Sequence, residues 1–228
     1  MGDFFNKIFY EPIFNFLIFL YNNIPGHDLG VVIIILTVLV RIILFPLAQK
    51  SIKSQMELSR HKDKIKEIQT KFKNKEEQSR ELMKFYKENK INPFSGCLPM
   101  IVQLPIIFAL YRAFMNVLSS GNGLINPMFL GIMNLFQKSP VLAVLAGIGQ
   151  FFASQMAMKR TITTPQLGTT EKAAETQKNM MRSMNYFFPI MTVFIALNLP
   201  SGLAFYWTIS TILGLAQDYF LYKKYAPK

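Results

Sequence analysis

Leu29-Gly30-Val31-Val32-Ile33-Ile34-Ile35-Leu36-Thr37-Val38-Leu39-Val40-Arg41-Ile42-Ile43-Leu44-Phe45-Pro46-Leu47 is apolar except for Thr37 and Arg41. An α-helix needs about 20 such residues to cross a hydrocarbon core of about 30 Å, so this stretch reads as a membrane span. Phe94–Leu118, with Pro99 and Pro105 inside it, and Pro140–Met158 give a second and a third. Met184–Tyr222 is almost unbroken, yet as one straight helix it would reach roughly 60 Å. It must fold back, and Asn198-Leu199-Pro200-Ser201-Gly202 supplies the turn chemistry. The expectation is an all-α polytopic membrane protein with five transmembrane helices, at 29–49, 93–118, 140–158, 184–199 and 200–222.

Composition agrees. Only 17% of the 228 residues are charged, against about a quarter in soluble domains. Phe (21) and Met (13) are abundant, as suits lipid-facing and adaptable helix packing. The one Cys, Cys97, excludes an internal disulfide and a multi-Cys metal site, and His27 and His61 are far apart in sequence.

The net charge of +12 would by itself suggest nucleic acid or an anionic surface. Its distribution points elsewhere. Segment 50–92 carries twelve of the basic residues between Lys53 and Lys90, segment 159–183 adds Lys159, Arg160, Lys172, Lys178 and Arg182, and the tail 223–228 adds Lys223, Lys224 and Lys228. The N-terminal segment 1–28 and the connection 119–139 hold only Lys7 and Lys138. Five spans place every basic segment on one side, which is the cytoplasm. The N-terminus is then outside and the C-terminus inside, and no DNA partner is expected.

Phe4–Ile24 is rich in Phe, but Asn6, Lys7, Glu11, Pro12 and Asn15 interrupt it. About 12 residues between Pro12 and Pro25 are too few to cross. The segment reads as an N-terminal interfacial amphipathic helix, with a sixth span or signal anchor as the alternative. In the charged segment, apolar residues recur at Ile65, Ile68 and Phe72 and again at Leu82, Phe85 and Tyr86, both helical spacings. Asn74-Lys75 is a break between them. This predicts a cytoplasmic helical hairpin standing off the membrane, against the alternatives of a solvated charged linker or an RNA-binding arm.

Arg41 is the residue that most asks for a function. A central Arg costs about 2.5–3.5 kcal/mol on insertion scales, which argues for a hydrated cavity or a polar partner. Snorkelling is the bland alternative, since about 9 Å of helix separates Arg41 from Leu47. Gln103, Gln150, Ser154 with Gln155 beside it, Trp207, Thr208 and Thr211 are the other polar positions inside the spans. Singly, each suits a helix–helix hydrogen bond; with Arg41 they outline a hydrophilic pocket for an anionic or polar guest. Arg112, near the outer end of its span, is expected to snorkel. No Ser/His/Asp set, phosphate-binding loop or metal motif is present, so neither an enzyme nor a cofactor is expected. Ser95-Gly96-Cys97 is internal, so it is no lipidation box.

With the spans in place, the chain resembles the YidC/Oxa/Alb family of membrane protein insertases. The resemblance lies in Leu39-Val40-Arg41-Ile42-Ile43-Leu44-Phe45-Pro46-Leu47, Asn92-Pro93-Phe94-Ser95-Gly96-Cys97-Leu98-Pro99 leading into Gln103-Leu104-Pro105-Ile106, and Leu199-Pro200-Ser201-Gly202-Leu203-Ala204-Phe205-Tyr206-Trp207. It implies a five-helix core with a groove open to the cytoplasm and to lipid and closed toward the outside. Arg41 matches the family's groove arginine; Gln103, Gln150 and Trp207 resemble its other groove-facing polar residues. The second and fourth spans resemble the pair that offers an apolar slide to a substrate helix. The implied function is insertion of nascent membrane proteins into the bilayer without nucleotide hydrolysis, with the ribosome and the Sec translocon as candidate partners. The location is the bacterial plasma (inner) membrane. Unlike some relatives, the chain is expected to lack a large extracytoplasmic domain, an N-terminal lipobox and a long tail after Tyr222. A small-solute transporter or channel is the rival reading, but it predicts inverted repeats or paired broken helices, and the sequence has none. An assembly chaperone that packs helices without inserting them is a second rival.

Overall fold

Helix α1 (Asp3–Phe5), a π-helical turn (Asn6–Tyr10) and α2 (Glu11–Asn23) follow one another without a gap. The Glu11 N–H donates to the Asn6 carbonyl, the i→i+5 pattern of the turn. Pro12 sits in the first turn of α2, where its missing N–H is of little consequence. The chain then bends through Gly26 and His27, whose φ values of +83° and +47° are left-handed. The His27 ring nitrogen Nδ1 lies 2.8 Å from the Tyr21 carbonyl and steadies the bend. Asp28 Oδ1 accepts from Val31 N–H at 3.0 Å and so caps α3 (Leu29–Arg60).

The remaining elements are α4 (Lys62–Lys71), α5 (Lys75–Glu88), α6 (Leu98–Ser119), a two-stranded ribbon of β1 (Met128–Phe129) and β2 (Met133–Asn134), α7 (Pro140–Thr161), α8 (Glu171–Asn198) and α9 (Ser201–Tyr225). The strands pair antiparallel, Met128 opposite Asn134 and Phe129 opposite Met133. These elements come from a computed structural model that describes residues 3–72, 74–92, 98–119, 125–161 and 171–225. Residues 93–97 of the second motif, 162–170 of the basic connection and 226–228 of the tail therefore lie outside the described residues.

Several helices run beyond the expected spans. Helix α3 does not stop near Leu47 but runs on to Arg60 with Pro46 inside it. A proline removes one ladder hydrogen bond, and no Gly or further Pro follows to end the helix. Helices α7 and α8 likewise carry helical structure into the 159–183 connection. The ribbon lies within 119–139, which was expected only as a loop. Among the described residues, Leu29–Arg60 and Pro140–Met158 are long and apolar enough to cross a bilayer, and Ile101–Val117 and Asn185–Asn198 are shorter apolar helices.

The chain divides into two compact units. The first comprises Met1–Phe45, Met100–Gln150 and Pro189–Gly214. Its core is built from Leu17 and Tyr21 of α2, Leu29 to Leu36 of α3, Leu110 and Phe114 of α6, Leu142 and Ala143 of α7, and Leu203 to Tyr206 of α9. Small residues let the helices close up. A Cβ at Gly147 would overlap Val193, and one at Gly149 would meet Thr211 Cγ2 at 3.3 Å, so α7 lies close against both α8 and α9. These two glycines are packing residues.

The second unit comprises Pro46–Pro99, Phe151–Phe188 and Leu215–Lys228. Helices α4 and α5 bury Ile65, Leu82 and Tyr86 between them together with Leu58 and Ile91, while Ile68 and Phe85 pack at the margin. Asn74 starts α5 by accepting from Glu76 N–H at 2.9 Å. Burial raises the Tyr86 hydroxyl above its usual pKa. Lys64, at 2.8 Å, holds the fully exposed Glu67 carboxyl below its usual value. The far end of α3 places Ile52 and Met56 against Leu221 of α9, and Gln49 Nε2 donates to the Tyr225 hydroxyl.

Candidate functional site

The first unit holds polar contacts among otherwise apolar helices. On α3, Thr37 is fully buried and donates to the Ile33 carbonyl at 2.6 Å. One turn later the half-buried Arg41 donates through Nη2 to both the main-chain carbonyl and the hydroxyl of Ser210 on α9, the latter at 3.0 Å. Gly214, one turn further along α9, meets the same guanidinium. A Cβ there would stand 2.6 Å from Nη2, 2.9 Å from Nη1 and 3.0 Å from Cζ. On α6, Gln103 Nε2 donates to the hydroxyl of the fully buried Tyr206 at 2.7 Å. Gln103–Tyr206 thus ties α6 to α9, and Arg41–Ser210 ties α3 to the same helix one turn further on.

Physical chemistry accounts for the arrangement. Hydrogen bonds to a charged donor are roughly twice as strong as neutral ones, and Ser210 offers two oxygens on one residue. The main-chain carbonyl can accept a second bond because it has two lone pairs. A cation among apolar helices is thereby held against α9 through Nη2.

Of the residues expected at a site, Arg41 and Gln103 make these two ties. Thr208 and Thr211 do not: their hydroxyls return to their own helix, donating to Ala204 and Trp207 carbonyls at 2.8 Å each. Trp207 and Gln150 are half-buried in the same unit, with no described hydrogen bond to the network. Ser154 is half-buried in the second unit. Sequence reasoning missed Tyr206, Ser210 and Gly214. Their spacing of four along α9 was the available signal, since it puts a hydroxyl, a hydroxyl and a bare Cα on one face.

The ribbon segment caps one end of this unit. Ser201 and Gly202 N–H groups donate to the Gln137 and Leu135 carbonyls at 2.8 and 2.7 Å, and Ser201 Oγ donates to the Asn134 carbonyl at 2.9 Å. Asn126 N–H donates to the Tyr21 hydroxyl at 2.6 Å, and Leu130 N–H to Asp28 Oδ2. Phe129 fills the space left by the missing side chain of Gly30, and its ring lies 4.9 Å from that of Phe205, tilted by 47°. Arg112 does not simply reach outward. It donates to Asn6 Oδ1 at 2.6 Å and lies 5.0 Å over the Tyr10 ring, tying the N-terminal helix to α6.

Two apolar faces in this unit are exposed: Ile101, Leu104, Phe108 and Met115 on α6, and Ile190, Phe194 and Leu197 on α8. Their spacings of three, four and seven draw stripes along the helices. Among the described residues no group of three or more His, Cys, Asp or Glu is placed to hold a metal.

A family profile described as 60Kd inner membrane protein matches residues 19–228. The chain is 36% identical over 214 residues to the membrane protein insertase YidC of Syntrophus aciditrophicus, an overlap of 93% of this chain and 36% of that protein. It is 37% identical over 220 residues to the membrane protein insertase YidC of Fusobacterium nucleatum subsp. nucleatum, an overlap of 94% of this chain and 97% of that protein. It thus spans little more than a third of the length of several curated relatives and nearly all of another. Among solved structures it is similar to an active YidC insertase crystal structure with its first transmembrane domain resolved. The TM-score is 0.61 at 23% identity, covering 100% of this chain and 48% of that one, a likeness of fold. A mostly helical chain with this fold, matched by the profile along nearly all its length, belongs to the YidC/Oxa/Alb family of membrane protein insertases, the 60Kd inner membrane proteins.

Proposed function

We propose that this protein inserts nascent membrane proteins into the bilayer through a hydrophilic groove centred on Arg41, without nucleotide hydrolysis. The observation that carries this reading is the Arg41 guanidinium, half-buried among apolar helices and tethered to Ser210. A charge is retained in such a place only where it does something, because it is costly there. Family membership and the relatives' name, membrane protein insertase, support the same reading.

In the mechanism, five helices span the membrane, α3, α6, α7, α8 and α9. The basic connections and the α4–α5 hairpin face the cytoplasm, and the N-terminal helix lies at the outer interface. A short hydrophilic tail of the substrate enters from the cytoplasm. Arg41 attracts its carboxylates, with Gln103, Gln150, Trp207, Thr208 and Thr211 along the wetted path. Without that path each polar group would meet hydrocarbon at a cost of several kcal/mol. The apolar segment of the substrate leaves into lipid along the exposed stripes of α6 and α8. Burial of each large side chain stabilises it by roughly 1.5–3 kcal/mol. The membrane potential draws an acidic tail outward, about 2.3 kcal/mol per charge per 100 mV. The hairpin receives the substrate, and the ribosome and Sec translocon are its proposed partners.

The test is an in vivo insertion assay with a single-span substrate bearing a short acidic tail. Arg41→Ala lowers insertion and Arg41→Glu abolishes it. Site-specific crosslinkers at Gln103 and on α8 trap a stalled substrate. Wild-type insertion by both variants, or no adducts across several substrates, would reject the groove.

A further inference from the structure

The three heavy atoms nearest to a Cβ built on Gly214 all belong to Arg41: Nη2, Nη1 and Cζ. This sets Gly214 apart from Gly147 and Gly202, where a main-chain carbonyl of another element is among the nearest atoms, Pro189 O at 3.3 Å and Leu135 O at 3.2 Å. Those two glycines admit a neighbouring backbone. Gly214 admits a cation. A glycine in a helix interior is otherwise a poor choice beside alanine, and its φ is not left-handed, so backbone geometry does not call for it.

The same helix supplies the tether. Ser210, four residues earlier and hence on the same face, accepts from Arg41 Nη2 through two oxygens. Tyr206, four residues before that, accepts from Gln103. Direction and depth of the guanidinium are therefore set by different residues. Ser210 fixes where the terminal nitrogen points, and the bare Cα of Gly214 fixes how near to α9 the charge lies.

We infer that Gly214 is a positioning residue: with Ser210 it forms a seat on α9 that sets where the Arg41 charge is presented to the acidic tail of a substrate. This rests on the proposed groove function. The consequence is a steric one. A methyl at position 214 meets the far end of a flexible side chain, which swings away while the helices stay in place. Moving the charge from about 4 to about 5 Å from a carboxylate, at an effective dielectric constant of about 20, lowers the binding constant for that carboxylate about fourfold. Selection for acidic tails falls accordingly, and insertion of neutral tails does not.

The experiment uses the full-length protein in four forms: wild type, Gly214→Ala, Arg41→Ala and the double variant. Insertion is measured for one single-span substrate with an acidic tail and for its counterpart with the acids changed to amides. Thermal midpoints of the purified proteins in detergent are measured alongside. Gly214→Ala lowers the acidic-to-neutral insertion ratio about fourfold, and adds nothing in the Arg41→Ala background. In stability the sign reverses: the alanine is unfavourable or neutral beside Arg41 and raises the midpoint once Arg41 is gone. Equal midpoint shifts in both backgrounds overturn the seat. So does an unchanged ratio in Gly214→Ala where Arg41→Ala lowers it. If Arg41→Ala leaves the ratio unchanged, the groove reading fails instead, and the seat's role toward a substrate fails with it; the midpoints then still report whether Gly214 holds the cation.

Discussion

Replacing Gly147 by alanine tests the helix packing that frames the site. The added Cβ would fall inside the van der Waals shell of Val193 Cγ2 and stand 3.3 Å from the Pro189 carbonyl. The carbonyl is main chain and cannot turn aside, so Val193 must change rotamer or α7 and α8 must part. Overfilling a packed interface costs about 1–3 kcal/mol, while Gly→Ala in a helix interior returns about 1 kcal/mol. Gly147→Ala alone is therefore destabilising by up to about 2 kcal/mol. Removing the obstructing methyls by Val193→Ala leaves only the favourable part. The double-mutant cycle should show coupling of about 1–3 kcal/mol. At about 2–4 °C per kcal/mol for a chain of this size, the coupling amounts to roughly 2–12 °C in the thermal midpoint. Midpoints of the four proteins in one detergent give the answer. Shifts that add to within about 0.5 kcal/mol would mean that Gly147 and Val193 are not in contact, and the α7–α8 packing described above would be wrong.

Tyr206→Phe removes the acceptor of Gln103. The expected loss is about 0.6–2 kcal/mol, typical of hydrogen bonds between membrane helices, read as a lowered thermal midpoint; an unchanged midpoint would dissolve the α6–α9 tie. Asn74→Ala deprives Glu76 N–H of its cap and weakens α5 by about 1 kcal/mol. Amide exchange in the first turn of α5 should then quicken about fivefold, with no change in the first unit. Tyr86 carries a pH prediction. Its pKa is raised by burial above the ordinary value of 10.0, so the unfolded chain releases the proton first. Stability of the hairpin is full below pH 10 and falls as pH rises through the folded value. Tyr86→Phe should flatten that alkaline limb in a denaturation series, and an identical limb in the variant would show that the ring is not buried.

Arg41 was legible in the sequence because a charge inside an apolar run has few innocent explanations, and Gln103 because it is one of few polar residues in its span. The helical character of the charged segment and its break near Asn74 followed from apolar spacing. Thr208 and Thr211 show what a sequence leaves open about polar residues in spans. A threonine hydroxyl finds an acceptor on its own helix four residues back, and nothing in the sequence distinguishes that use from lining a pocket. Gly214 was invisible for the opposite reason, since the meaning of a glycine lies in what packs on it from another helix. Asn6 reads as an interruption of an apolar stretch, yet it pairs with Arg112, and the main-chain N–H of Asn126 donates to the Tyr21 hydroxyl. Those partners lie about a hundred residues away in the chain, beyond the reach of any local pattern.

The fastening of the ribbon segment over the α8–α9 turn has a consequence for how the protein can evolve. Two of its three bonds run from the first N–H groups of α9 to Leu135 and Gln137 carbonyls. Every amino acid carries a carbonyl, so substitution of the exposed Gln137 leaves its bond intact, whereas Leu135 and Phe129 are also held by packing of their side chains. The exposed positions of the loop can drift in sequence while the helix end beneath it stays covered. Shortening the loop is another matter, because it would bare the first N–H donors of α9.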